Sequence, residues 1–196
     1  LSTLQSVCVF CGSNPGRDPV YERAARTMGE TLAARRIKLI YGGGGIGLMG
    51  AIANATMNAG GEVIGVIPHA LRQKELAYHK LTELHVVDTM HQRKQMMADL
   101  TQGFIAMPGG FGTFEELCET ITWAQLGLHN KPIGMLNVNG YYDRMLAMFD
   151  HATAEGFVSQ RHRQMICASP DPNLLLDEMM AYEGPPTEQW LTRDAT

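Results

Sequence analysis

Short apolar runs without polar alternation recur along this chain, each followed by a stretch of helical periodicity, and that pattern limits the folds open to it. Val7-Cys-Val-Phe10, Ile37–Tyr41 and Val63–Ile67 are runs of this kind. A strand covered on one face alternates apolar and polar side chains, whereas a strand covered on both faces does not. Strands are therefore expected at Ser6–Cys11, Ile37–Tyr41, Val63–Ile67, His85–Val87, Gly103–Met107, Ile133–Asn137 and Met165–Ala168. Between and after them, amphipathic helices are expected near Val20–Arg35, over Gly47–Ala59, from Met90, over Thr113–Leu126, over Tyr142–Glu155 and over Leu174–Tyr182. Strands alternating with helices imply a parallel sheet with helices on both faces, an α/β, doubly wound, Rossmann-like fold. One such domain is expected to span residues 1–196, with 183–196 as a surface tail pinned by Trp190. The polar stretch Pro68–Leu84 is long for a connection and is expected to reach over the site as a lid.

At 196 residues the chain suits one core rather than two. Its formal net charge of −4 leaves no broad positive surface for nucleic acid, so any phosphate must be held by a local device. No apolar run is long enough to span a bilayer and no charged-then-apolar leader opens the sequence as given, so the expectation is a cytoplasmic protein without a membrane partner. Cys8 and Cys11 form a C-x-x-C spacing, but on a strand three positions apart their side chains point to opposite faces. They are expected to be plain buried cysteines and not a redox or metal pair.

Ligands of such sheets bind beyond the carboxyl ends of the strands, and two glycine-rich loops fall there. The first, Tyr41-Gly-Gly-Gly-Gly-Ile-Gly-Leu-Met-Gly50, contains a G-x-G-x-x-G spacing at Gly42, Gly44 and Gly47. It follows the second strand rather than the first and lacks a ribose-reading acid at the expected distance. Two readings stay open, a tight turn packed on the sheet or direct ligand contact. The second loop, Met107-Pro-Gly-Gly-Phe-Gly-Thr-Phe-Glu-Glu-Leu117, offers glycine amides at 109, 110 and 112 and the Thr113 hydroxyl where a helix starts. That is a cradle for one phosphate. It has no Walker lysine, which argues against a nucleoside triphosphate.

Glu116 also allows two readings. Thr113-x-x-Glu116 is a capping-box spacing, which would make the carboxylate a helix cap, and the alternative is catalysis. Phe114, Leu117, Cys118 and Ile121 would form the apolar stripe of that helix, with Glu116 on its far side. Thr89 and Gln92 show the same capping-box spacing before the preceding helix. There Arg93 shares a face with Met96, Met97 and Leu100, and a guanidinium on an apolar stripe needs a carboxylate, a phosphate or a route to water.

Pro108-Gly-Gly-Phe-Gly-Thr-Phe-Glu-Glu116 resembles the P-G-G-x-G-T-x-x-E signature of the Lonely Guy (LOG) family, whose members long carried the label lysine decarboxylase. The resemblance extends through Cys8-Val-Phe-Cys-Gly-Ser13, the first glycine loop, Val63–Pro68, Met90-His-Gln-Arg-Lys94, Ile121-Thr-Trp-Ala-Gln-Leu-Gly127, Lys131-Pro132 and Asn137-Val-Asn-Gly-Tyr-Tyr142. It is continuous from about Val7 to Val158.

The resemblance implies a phosphoribohydrolase that cleaves an N6-substituted adenosine 5′-monophosphate to free base and ribose 5-phosphate. It implies catalysis by Arg93 and Glu116. It also implies nucleotide contacts at Glu75, Lys94, Gly109, Gly110, Phe111, Gly112, Thr113, Glu115 and Thr122, and the expected contacts further take in Ser13 and Gly44. No metal or organic cofactor is expected. A homodimer or higher homo-oligomer is implied, with sites near the subunit interface. A pyridoxal-dependent decarboxylase would need a Schiff-base lysine to which nothing in the sequence points. The alternative kept open is a non-catalytic carrier of a nucleotide or nucleotide-like cofactor on the same fold.

Overall fold

A computed structural model of the protein describes residues 4–72 and 81–184. The chain runs β1 (Ser6–Phe10), α1 (Pro19–Ala34), β2 (Lys38–Tyr41), α2 (Gly47–Asn58), β3 (Val63–Pro68), β4 (Glu83–Val87), α3 (Met90–Leu100), β5 (Phe104–Ala106), α4 (Phe111–Gln125), β6 (Ile133–Leu136), α5 (Asp143–Ala154), α6 (Gln160–Arg163), β7 (Ile166–Ser169) and α7 (Pro172–Met180). These strands form one sheet in the order β4-β3-β2-β1-β5-β6-β7, and every neighbouring pair is parallel. The chain winds outward from β1 to β4 on one side and from β5 to β7 on the other. The topological switch point therefore lies between β1 and β5.

The all-apolar strands are explained by burial on both faces. Val7, Val9 and Cys11 belong to the core packed with α1, α2 and α7, while Cys8 and Phe10 belong to the core on the side of α3, α4 and α5. Cys8 and Cys11 thus point to opposite faces, both buried and both free thiols. Burial pushes both thiols above their ordinary range. The helix starts follow local chemistry. Asp18 caps α1 ahead of Pro19, Asp171 caps α7 ahead of Pro172, and the Thr89–Gln92 capping box closes the start of α3 from both sides.

The largest departure from expectation lies in α4. It starts at Phe111 behind an N-cap at Gly110, with no side-chain cap. Thr113 is therefore inside the first turn and Glu116 in the second, and the Thr113–Glu116 pair forms no capping box. The buried stripe is Thr113, Leu117, Thr120 and Ala124. These mostly small side chains let the helix sit close to the sheet. Cys118, expected in that stripe, is exposed, and Phe114 and Ile121 are half-buried. Glu116 is half-buried at the margin of the stripe, not on its far side.

Two smaller differences are the extension of β4 back to Glu83 and the short α6, which the apolar pattern did not reveal. Of the expected lid, Pro68 closes β3 and His69–Leu71 form a short 3-10 turn. Glu75 and the rest of residues 73–80 lie outside the described residues, as do Trp190 and 185–196 of the tail. No helix among the described residues is long and apolar enough to cross a membrane.

Candidate functional site

The switch point brings two turns together. Gly12, after β1, donates its N–H to the Pro108 carbonyl at 3.0 Å, and Gly12 and Gly109 lie in van der Waals contact. Gly109 has no room for a side chain, because a Cβ there would stand 2.1 Å from Thr113 Oγ1 and 2.9 Å from Gly12 N. The Thr113 hydroxyl is thus folded back over Gly109 beside the start of α4, and Thr113 itself is buried. The first-turn amides of α4 have no acceptor within the helix and carry the positive end of its dipole. Beside them, Ser13, Gly109, Gly110 and Tyr141 line a cleft of about 280 Å³. That volume is at the lower edge of the range for small-molecule clefts. Gly110, Phe111 and Gly112 are exposed or half-exposed there, and a Cβ on Gly110 or Gly112 would meet nothing within 4 Å.

The first glycine loop behaves differently. The Leu48 and Met49 amides at the start of α2 donate to the Gly12 carbonyl at 3.0 and 3.3 Å. That helix start is therefore engaged by the turn after β1, and Gly44 is buried within the loop. The reading as a tight turn packed on its neighbours describes this geometry. The loop has a second duty that the sequence did not reveal. Arg93, on α3, is only 5% exposed. Its Nη2 donates to the Gly42 carbonyl at 2.9 Å and its Nε to the Val66 carbonyl at 3.1 Å. The guanidinium is thus fixed across the ends of β2 and β3. A Cβ on Gly42 would lie 1.9 Å from Arg93 Nη2, so glycine is what leaves the guanidinium its seat.

Arg93 and Glu116 stand on α3 and α4, two helices that Lys94 ties together. Apart from the larger effect of burial, Glu116 raises the Cys8 thiol and Arg93 lowers it, and Glu116 also raises Cys11. The one thiol on which both charges bear is Cys8, in the middle of β1. Glu116 also borders a narrow crevice between α3 and α4 with Lys94, Glu119 and Trp123. The same three residues open onto a groove of about 1030 Å³ along those helices. The groove is the larger concavity, but the smaller cleft lies at the switch point, beside the first-turn amides of α4.

The remaining candidates divide. Lys94 bridges α3 to α4 through Glu115 and Glu119, each at 2.8 Å. Burial works against its charge, and the two hydrogen bonds more than offset this, so its pKa is raised. Thr122 is exposed, its hydroxyl donates to the Cys118 carbonyl at 2.8 Å, and it stands about 18 Å along α4 from Gly110. This chain alone does not bring Thr122 to the cradle. Glu75 lies outside the described residues. Tyr141 and Tyr142 were not singled out as site residues, yet their hydroxyls donate to the Gly109 and Met107 carbonyls of the second loop. The only sequence signal for them was their place in the stretch Asn137–Tyr142. Among the described residues, no group of three His, Cys, Asp or Glu side chains could hold a metal ion.

The seat of Arg93 yields a stability test. Gly42→Ala is expected to cost about 1–3 kcal/mol in urea unfolding, the range for overpacking a closed site. Gly112→Ala, in an open first turn, is expected to cost nothing or to stabilise by up to about 1 kcal/mol. Equal effects would mean that the guanidinium is not what occupies the space beside Gly42.

Comparison with known proteins places this geometry. A family model described as "possible lysine decarboxylase" matches residues 49–179. A probable cytokinin riboside 5′-monophosphate phosphoribohydrolase of Oryza sativa subsp. japonica is 50% identical over 185 residues, covering 94% of this chain and 75% of that protein. A cytokinin riboside 5′-monophosphate phosphoribohydrolase of Arabidopsis thaliana is 47% identical over 182 residues, 93% of this chain and 84% of that one. Among solved structures, the molybdenum cofactor carrier protein of Chlamydomonas reinhardtii superposes with a TM-score of 0.69 at 18% identity, covering 91% of this chain and 99% of that one. At that identity the likeness shows a shared fold only. The family-model match and the identity to plant phosphoribohydrolases over nearly the whole described sheet show that the chain belongs to the LOG family.

Proposed function

We propose that this protein hydrolyses the N-glycosidic bond of adenosine 5′-monophosphates, N6-substituted ones included, to free base and ribose 5-phosphate. The observation that carries this reading is the glycine-rich start of α4 at the switch point, on a helix that bears Glu116 and is tied through Lys94 to the helix that holds the buried Arg93. The relatives named as cytokinin riboside 5′-monophosphate phosphoribohydrolases support the substrate class.

The chemistry follows from the bond. As the bond between C1′ and the base nitrogen breaks, its electron pair leaves with the base and positive charge grows on the ribose ring. A carboxylate beside C1′ stabilises that charge and orients or deprotonates the attacking water, as in sugar hydrolysis. Glu116 is assigned this part. Arg93, held by two backbone carbonyls, supplies a positive charge in fixed geometry. It neutralises charge on the leaving base or keeps Glu116 ionised. Gly109–Thr113 and Ser13 take the 5′-phosphate, so that binding far from the reacting atoms fixes the sugar. Lys94, Glu115 and Thr122 are retained as contacts for the rest of the nucleotide, and Gly44 as a support beneath the site. This chemistry needs neither a metal nor an organic cofactor. A cofactor carrier shares the fold, but fold does not decide function, and release of base separates the two.

The 5′-phosphate cradle predicts that AMP is turned over and adenosine is not, because the nucleoside lacks the charge-assisted bonds to helix-start amides. Comparable kcat/KM for the two would refute the cradle. With no capping box at α4, the Glu116 carboxylate has no capping duty to lose. Glu116→Gln is therefore expected to stay folded by circular dichroism while base release slows by at least ~100-fold. Near-normal turnover with AMP still bound would remove Glu116 from the mechanism.

A cytoplasmic homodimer is part of the same reading. The buried stripe of α4 leaves Phe111 91% exposed on the opposite face, and on α5 Met148 is 60% exposed. Both helices cover the same side of the sheet. These exposed side chains support a docking face on that side of the sheet, and Thr122 shares the outward face of α4 with Phe111 and Cys118. Docking of a second copy there would bring a partner's Thr122 toward the site. Sedimentation at micromolar concentration is expected to give at least twice the chain mass, and Phe111→Asp to shift it toward the monomer. A fully active monomer would contradict this arrangement.

A further inference from the structure

The stretch Asn137–Tyr142 has no part in the chemistry assigned above, yet it ends in two hydroxyls aimed at the loop between β5 and α4. It begins as a tight turn in which Asn139 and Gly140 both have left-handed backbones, with φ of 51° and 68°. The Asn137 side chain closes it, accepting from the Tyr142 N–H at 2.7 Å and donating to Asp143 at 2.7 Å. Tyr141 is then held in an aromatic cage. Tyr21 and Tyr142 meet its ring edge-on at 5.9 and 5.1 Å between centroids, and Phe114 stacks on it at 6.4 Å. From that cage its hydroxyl donates to the Gly109 carbonyl, and its ring lines the cleft at the switch point.

We propose that Tyr141 is a positioning residue for the anion cradle, setting the Gly109–Gly110 peptide so that its N–H is turned away from Tyr141, at the exposed start of α4. The inference rests on the reading of that loop as a phosphate site. In a trans peptide the carbonyl and the N–H of one plane point in opposite directions. Holding the Gly109 oxygen on the Tyr141 side therefore turns the Gly110 N–H the other way, where it can join the first-turn amides of α4 as a donor to an anion. The peptide joins two glycines, which makes it the freest unit of the loop to rotate. Unheld, it can present its oxygen in place of its N–H, and an oxygen repels an anion. The neighbouring tyrosine provides the contrast. Tyr142 donates to the Met107 carbonyl at 2.7 Å from a buried position. The nitrogen of that peptide belongs to Pro108, which carries no hydrogen. Tyr142 can brace the loop but cannot orient a donor.

The test is calorimetric titration of the full chain with inorganic phosphate and with ribose 5-phosphate. Tyr141→Phe keeps the ring and removes the hydroxyl. It is expected to weaken both ligands about 10-fold, the order for one hydrogen bond to a charged group. In turnover it is expected to raise KM for AMP by a similar factor with kcat within about twofold, a split that general loosening of the fold does not produce. Tyr142→Phe is expected to lower Tm and to leave phosphate affinity within about twofold. Unchanged phosphate affinity in Tyr141→Phe, an equal loss in Tyr142→Phe, or a wild-type chain that binds neither ligand would overturn the proposal. Because binding is read without turnover, a wild-type chain that binds phosphate but releases no base would refute the proposed activity and leave the role of Tyr141 standing.

Discussion

A parallel sheet ends, at its carboxyl edge, in carbonyl groups that the next strand cannot reach, and each must find a donor elsewhere. In this protein the donors that meet that need also build the site. The Gly12 carbonyl takes the Leu48 and Met49 amides at the start of α2. The Gly42 and Val66 carbonyls take the Arg93 guanidinium. The Met107 and Gly109 carbonyls take the hydroxyls of Tyr142 and Tyr141. Satisfying the edge of the sheet and arranging charge around the switch point are one and the same set of contacts.

Arg93 shows the consequence most directly. A cation this buried loses much of its hydration and survives only where fixed dipoles replace water. Two strand-end carbonyls supply part of that replacement, and they do so in a geometry that a flexible ammonium could not match as a planar fork does. The charge that results is costly to move, which suits it to a reaction in which charge develops and must be met without rearrangement. The ion pairs from Lys94 to Glu115 and Glu119 tie α3 to α4, holding the elements that carry Arg93 and Glu116 in register.

Helix α4 serves two surfaces. Its small buried side chains bring its amino end close to the sheet, where the amides can act on a ligand. Phe111, by contrast, is left facing outward, 91% exposed. Thr122 lies on that same outward face, apart from the start of the helix. The shared fold with a molybdenum cofactor carrier shows that the scaffold alone does not select hydrolysis.

Much of this was legible in the sequence because it depends on local rules. Uninterrupted apolar runs dictated strands buried on both faces, the Thr89–Gln92 spacing dictated a capping box, and the strand periodicity placed Cys8 and Cys11 on opposite sides. The glycines after β5 marked a loop able to approach an anion. The capping-box reading of Thr113–Glu116 was removed by a shift of two residues in the start of α4, because a glycine N-cap gives no side-chain signal and Thr113 packs on Gly109. The two carbonyls that take the Arg93 guanidinium lie 27 and 51 residues away and are backbone oxygens, so no side-chain pattern could announce them. The same holds for the two tyrosines, whose acceptors are 32 and 35 residues distant. The sequence by itself determined the parallel sheet, its two covered faces and the glycine loops, since periodicity and backbone freedom are properties of neighbouring residues. Only the tertiary structure decided where Arg93, Glu116 and Tyr141 act, since the carbonyls and peptide planes they meet acquire a position only once the strands are laid side by side.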